Sequence, residues 1–294
     1  MKILVVSGFL GAGKTTFIEQ LVKYAPEKTV ILENEYGEVA VDGDILKEDG
    51  LNIWELTEGC VCCSMKANFA ESILTIANTM NPELLIIEPT GVGLLSSVLN
   101  NISKVLYERI EILEPITVVD PFSIDSYEEQ FKEIFENQIR YSKDIIISKV
   151  DKLASDEKEK VKEKIAKMNN RANINMKNYD EYSEQWWKGL LDCIWNNKSV
   201  RSSTNVSLEI ENIGFENVEF DNIEKFESYM SAVMSGRFGN IVRAKGFLKI
   251  SDNWAKMDIV DKQYTLIPAN KKEKSKVVFI GTNIDKQALN LIFK

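Results

Sequence analysis

Gly8-Phe9-Leu10-Gly11-Ala12-Gly13-Lys14-Thr15-Thr16 follows an apolar run from Ile3 to Val6 and precedes a helical pattern. The stretch fits G-x-x-x-x-G-K-[ST] in a strand–loop–helix context. Glycines let backbone N–H groups close around phosphate oxygens, and the helix that follows adds free N–H donors and a positive dipole end. Lys14 is then placed to reach the β- and γ-phosphates, and the Thr15 hydroxyl to hold Mg²⁺. The candidate nucleotide-binding residues here are Gly8, Gly11, Ala12, Gly13, Lys14, Thr15 and Thr16. The bland alternative is a glycine-rich turn beside a solvated lysine.

Outward from the loop, short buried runs alternate with helical patterns. Strands are expected at 2–7, 29–33, 51–56, 84–87, 115–119 and 144–147, and helices at 14–25, 65–79, 94–109 and 125–141. Such alternation predicts an α/β fold, a mainly parallel sheet covered on both faces, with ligands at the carboxyl ends of its strands. A further helix is expected near 181–195, with Trp186, Trp187, Leu190, Leu191, Ile194 and Trp195 as core. Cys193 on that helix reads as an inert small hydrophobe. The polar stretch 198–205 reads as a linker between a phosphate-loop domain, 1–197, and a smaller domain, 206–294. The second domain has strand-like runs at 215–220, 241–250, 254–259, 264–268 and 276–280, with helices at 222–235 and at the end. That grammar predicts an α+β domain.

The chain has 294 residues, 44% hydrophobic and 28% charged, as in soluble globular proteins. A net charge of −9 argues against nucleic acid or an anionic membrane as partner. Three of its four cysteines fall within Cys60-Val61-Cys62-Cys63, which is not a secreted disulfide framework. Together with the absence of a membrane-length apolar run, this points to the cytoplasm. There is no histidine. Ser-His-Asp chemistry, histidine bases and histidine metal sites are therefore excluded.

Three further stretches carry chemistry. Glu88-Pro89-Thr90-Gly91 ends a buried strand with a carboxylate suited to Mg²⁺, and the Gly91 N–H is suited to sensing a γ-phosphate. Lys14, Glu88 and Gly91 are thus the candidate catalytic residues. Ser148-Lys149-Val150-Asp151 resembles the guanine-reading N-K-x-D element. Its aspartate accepts from guanine N1 and N2 and its lysine stem lies over the base, which favours GTP over ATP. In Gly59-Cys60-Val61-Cys62-Cys63, the C-x-C-C spacing differs from redox C-x-x-C and suits soft or borderline metals such as Zn²⁺, Co²⁺, Ni²⁺ or Cu(I). Cys60, Cys62 and Cys63 are the candidate ligands, with carboxylates from Glu35, Glu38 and Asp42 to complete the shell.

Together these stretches resemble the CobW-type metallochaperone GTPases, relatives of the UreG and HypB nickel-insertion GTPases. Glu35-Tyr36-Gly37-Glu38 is similar to the family's N-E-[FY]-G-E segment, Gly59 to Cys63 to its G-C-x-C-C motif, and Arg243-Ala244-Lys245-Gly246 to an R-A-K-G segment of its C-terminal domain. The resemblance implies a slow GTPase that binds a transition metal, Zn²⁺ first and Co²⁺ or Ni²⁺ next. It implies delivery of that metal to a client metalloprotein, often from a dimer. Many members carry histidine-rich stretches; this chain has none, which leaves a single thiolate-rich site. The rivals are a small-molecule kinase using the same loop and a nucleotide-gated metal sensor without a client.

Overall fold

A computed structural model describes residues 1–34, 53–56, 66–105, 110–196, 210–260, 263–272 and 274–293. Packing divides the chain into two compact units. Among the described residues, the first unit is built on an eight-stranded sheet ordered β3-β2-β4-β1-β6-β7-β8, with β5 also beside β1. The strands are β1 (Lys2–Gly8), β2 (Thr29–Asn34), β3 (Ile53–Leu56), β4 (Leu84–Glu88), β5 (Glu111–Ile112), β6 (Ile116–Val119), β7 (Asp144–Ile147) and β8 (Asn173–Asn175). All of these pairings are parallel, as the continuous apolar runs predict.

Side chains of β1 alternate between two cores. Ile3 and Val5 pack with Leu85, Ile87, Phe69, Ile73, Leu95 and Leu99. Leu4 and Val6 pack on the opposite face with Phe17, Ile18, Leu21 and Trp187. The first core is closed by helices α2 (Lys66–Thr79) and α3 (Leu95–Ser103), the second by α1 (Lys14–Leu21). Each such side chain, fully buried, contributes about 1.5–3 kcal/mol. The central strand is therefore the most firmly fixed part of the unit, and the loop at its end inherits that rigidity.

The helix expected over 125–141 is two helices, α4 (Ile124–Gln130) and α5 (Lys132–Arg140). They part at Phe131, whose backbone leaves the helical region at φ −137° and ψ 33° while its ring is buried against Phe9. A charged helix beyond those expected, α6 (Ser155–Met168), follows β7. The expected 181–195 helix is only α7 (Glu184–Leu190). Beyond it the chain is drawn to the sheet: Trp195 N–H donates to Ile112 O at 2.8 Å, and Glu114 N–H to Cys193 O at 2.7 Å. Trp187, Leu190 and Leu191 are core as expected, but Ile194 is exposed and Trp195 packs with the other cluster. Cys193 is half-buried and accepts from Lys143 Nζ at 2.8 Å, so it is a polar partner rather than an inert hydrophobe.

In the second unit, β9 (Ile210–Glu216), β11 (Asn240–Ile250), β12 (Asn253–Val260), β13 (Gln263–Pro268) and β14 (Lys276–Thr282) form an antiparallel sheet in the order β13-β12-β11-β14-β9. β10 (Glu219–Phe220) joins β11 in parallel. The strand expected at 215–220 is split by Asn217, which sits at φ 61°. Helices α8 (Ile223–Met234) and α9 (Lys286–Phe293) contribute Phe226, Met230, Leu289 and Phe293 to a core with Phe215, Met257 and Phe279. This is the expected α+β arrangement. The 198–205 linker lies outside the described residues. No helix among the described residues is long and apolar enough to cross a membrane.

Candidate nucleotide site

The sheet turns both ways from β1: β4 lies on one side and β6 on the other. Such a switch point opens a crevice at the carboxyl ends of the strands. The loop after β1 occupies it. Gly8 has φ 146°, and a Cβ there would stand 2.3 Å from Val118 O, so only glycine lets β1 leave the sheet this close to β6. Gly13 caps α1 in a left-handed conformation, and Phe17 N–H donates to Gly13 O at 3.0 Å.

Lys14 is buried, with its ammonium donating to Phe9 O at 3.3 Å and lying 3.7 Å from Glu88 Oε1. Thr15 Oγ1 donates to the same carboxylate, at 3.4 Å from Oε1 and 3.3 Å from Oε2. Lys14 and Thr15, at the start of α1, therefore converge with Glu88, at the end of β4. A buried ammonium without a counter-charge is strongly unfavourable, and Glu88 supplies that charge. Hydroxyl and carboxylate oxygens are hard donors of the kind Mg²⁺ takes, so the residues fit that ion. Thr16 is exposed on the first turn of α1.

Gly91 follows Glu88 at close quarters to the loop. A Cβ on it would lie 2.5 Å from Leu10 N, so the two backbones touch. Thr90 Oγ1 is buried here without a hydrogen-bond partner among the described residues, a polar atom left for a ligand or water to satisfy.

At the end of β7, Ser148 Oγ donates to Val119 O at 3.2 Å, so this hydroxyl is spent on the fold. A side chain at Gly13 would come within 3.6 Å of Ser148 Cβ, which brings this turn against the phosphate loop. Lys149 takes a left-handed φ of 53° and pairs with Asp120 Oδ2. That backbone conformation costs about 1–2 kcal/mol. A hydrogen bond to a charged group contributes about 1.5–3 kcal/mol, enough to offset it. Asp151 is exposed.

Residues without a motif complete the site. Asp120, buried at the end of β6, also accepts from Phe122 N–H at 3.0 Å. The Tyr127 hydroxyl donates to Leu10 O at 2.9 Å, and Gln138 Nε2 to Gly91 O at 3.0 Å and Gly93 O at 3.1 Å. Only Asp120 left a sequence signal, a carboxylate ending an apolar strand. Cys60, Cys62, Cys63, Glu35, Glu38 and Asp42 lie outside the described residues. Among the described residues no group of three or more cysteines, aspartates or glutamates is arranged to hold a metal.

A phosphate loop feeding a helix, with a carboxylate on the neighbouring strand and a parallel sheet switching direction at that point, defines the phosphate-loop nucleotide-binding class. The CobW/HypB/UreG nucleotide-binding domain model matches residues 2–176, and the cobalamin synthesis protein CobW C-terminal domain model matches 211–294. The chain belongs to the CobW/HypB/UreG family. It is 31% identical over 180 residues to the zinc chaperone YjiA of Escherichia coli, covering 58% of this chain and 56% of that protein. It is 27% identical over 197 residues to the zinc chaperone CobW of Sinorhizobium sp, covering 57% and 56%. The chain spans about half the length of the curated relatives it matches. Among solved structures, Zn(II)-bound YjiA GTPase from E. coli is 22% identical, with 100% of this chain and 99% of that one covered and a TM-score of 0.47. HypB from Helicobacter pylori in complex with nickel is 22% identical, with 64% and 85% covered and a TM-score of 0.46.

Proposed function

We propose that this chain is a GTP-hydrolysing metallochaperone. The observation that carries the reading is the convergence of Lys14, Thr15 and Glu88 at the mouth of the phosphate loop. Backbone N–H groups of Gly11 to Thr16 cradle the phosphates, with Gly8 and Ala12 shaping the loop. Lys14 exchanges its contacts with Phe9 O and Glu88 for β- and γ-phosphate oxygens. Thr15 and Glu88 hold Mg²⁺, which when bound neutralises charge building on the phosphates. The Gly91 N–H faces the γ-phosphate, and water is the nucleophile. Guanine is read by the Asp151 carboxylate, with the Lys149 stem over the base and Ser148 holding the turn to β6.

The cargo metal is held by Cys60, Cys62 and Cys63 in some combination, with Glu35 or Glu38 assisting. Zn²⁺ is the leading candidate because relatives carry the name zinc chaperone, with Co²⁺ or Ni²⁺ next. A client metalloprotein receives it, and a nucleotide-dependent homodimer is the expected working form. The domains of the reading are 1–197 and 206–294.

The test measures nucleotide binding, hydrolysis and metal content together. Lys14→Ala should abolish GTP binding. Glu88→Gln should keep GDP binding and lower Mg²⁺-dependent turnover at least about 100-fold. Cys62→Ser and Cys63→Ser should each lose metal. Equal affinity for ATP and GTP, or full metal content after replacing all three clustered cysteines, would overturn the reading.

A further inference from the structure

Gln138 is fully buried (0% exposed), and its amide spends its donors on Gly91 O at 3.0 Å and Gly93 O at 3.1 Å. Its own Oε1 is enclosed without a hydrogen-bond partner among the described residues. A side chain kept only to fill this space would be better apolar, because an orphaned carbonyl destabilises the fold. What glutamine adds is a grip on two carbonyls of the turn that follows Glu88.

That turn rests directly on the phosphate loop, since a Cβ at Gly91 would come within 2.5 Å of Leu10 N and 2.9 Å of Leu10 Cα. The other side of the contact is gripped in turn. The Tyr127 hydroxyl donates to Leu10 O at 2.9 Å, and its ring lies 4.1 Å from the ring of Phe9, the neighbouring loop residue. Tyr127 is on α4 and Gln138 on α5, and Phe131 at their junction lies 5.1 Å from Phe9. Asn137, beside Gln138, accepts from Ser96 N–H at 3.1 Å and donates to Ser96 Oγ at 2.9 Å, which ties α5 to the start of α3. Two consecutive helices thus hold both partners of one backbone contact.

We propose that Gln138 and Tyr127 are positioning residues that clamp the turn after Glu88 against the phosphate loop and so set the preference of the site for nucleoside triphosphate over diphosphate. The inference rests on the nucleotide reading above. The α- and β-phosphates meet the loop, which β1 and α1 already fix. The γ-phosphate alone meets the turn at Gly91, whose orientation depends on the clamp. Loosening the clamp therefore weakens the triphosphate and spares the diphosphate.

The experiment compares affinities of the full chain for GDP and for a non-hydrolysable GTP analogue, both with Mg²⁺. Gln138→Met keeps the volume and removes both donors; Tyr127→Phe removes one hydroxyl and keeps the ring. The analogue is expected to weaken about tenfold in Gln138→Met and about threefold in Tyr127→Phe, with GDP within about twofold of wild type. The double variant should fall short of the product of the two losses, because both act on one contact. Equal weakening of both nucleotides, or no change in their ratio, would overturn the proposal. Tyr127→Phe keeps the test open should Gln138→Met fail to fold, since it leaves Gln138 and the aromatic packing in place. If wild type binds neither guanine nucleotide, the underlying reading fails and this proposal with it. That result is distinct from an unchanged ratio in proteins that do bind.

Discussion

At Gly8 the backbone runs at φ 146°, with Val118 O 2.3 Å from where a side chain would begin. Gly8→Ala therefore has to part β1 from β6 in addition to straining the backbone. It should destabilise the protein by at least about 2 kcal/mol, seen as a lower urea midpoint. Asp120 predicts a different pattern. Asp120 is 2% exposed and its carboxylate holds the ammonium of Lys149, whose left-handed backbone begins the turn proposed to read the base. Asp120→Asn keeps the shape and weakens the grip. Because the base is common to both nucleotides, affinities for GDP and for the GTP analogue should fall together, by about tenfold at an interaction of about 1.5 kcal/mol. Isothermal titration of both nucleotides checks this, and a loss confined to the triphosphate would be the wrong result.

Elements are legible in the sequence where they are buried on every side and obscure where tertiary contacts decide them. The runs at 84–87 and 144–147 appear as strands because, Asp144 at the entry of the second apart, every side chain in them is apolar. The 125–141 pattern gives no sign of its break, because Phe131 leaves the helix to pack under the loop, across a gap in sequence. α7 ends early for a similar reason, as 193–195 is recruited by 112–114. Local motifs expose the phosphate loop, Glu88 and the 148–151 turn against that loop, the last proposed to read the base. Tyr127 and Gln138 act over separations of 117 and 47 residues, which no local pattern encodes, and Asp120 shows in the sequence only as a carboxylate ending an apolar strand, its partner Lys149 being 29 residues away. One element carries a pH signature. Tyr179, in the 3₁₀ turn before α7, packs on Phe17 and Trp187, and burial pushes its phenol up to about 12, with Tyr182 adding to the effect. A folded pKa above the unfolded value near 10 gives stability that is complete below pH 10 and lost as pH rises through 12. The Tyr179 hydroxyl has no hydrogen-bond partner among the described residues, so Tyr179→Phe removes the titration at little cost. Urea midpoints should match wild type at pH 8 and exceed it at pH 11.5. Parallel losses in the two proteins would show that Tyr179 is not the group responsible.

For the whole molecule, the change from parallel to antiparallel grammar after residue 206 is readable because the two sheets bury side chains differently. The first has apolar runs, while the second alternates along β11, where Ala244 and Leu248 face the core shared with α8 and α9. What would join nucleotide to metal in the proposed function is not readable from either sheet alone, since it would depend on the 35–44 and 59–63 stretches that flank β3 in sequence. Each stretch follows a strand whose carboxyl end belongs to the same edge as Glu88: β2 ends one residue before Glu35 with Glu33 in register with Glu88, and β3, which precedes 59–63, ends at Leu56 in register with Asn34 of β2. Under the proposed function, a cargo site on those loops would be coupled to the γ-phosphate through the backbone that carries Glu88. Such coupling is reciprocal by thermodynamic necessity. Zn²⁺ should change the affinity for a non-hydrolysable GTP analogue by the same factor as the analogue changes the affinity for Zn²⁺, on the order of 5- to 150-fold. GDP should show a smaller factor, because it lacks the γ-phosphate that the proposed function brings to Gly91. Paired titrations in both orders measure this, with Co²⁺ and Ni²⁺ run alongside, and Cys62→Ser with Cys63→Ser should bring the factor to one. If metal leaves the analogue's affinity unchanged in wild type, the phosphate loop and the thiolates are separate sites on one chain, and the chaperone cycle does not run through GTP.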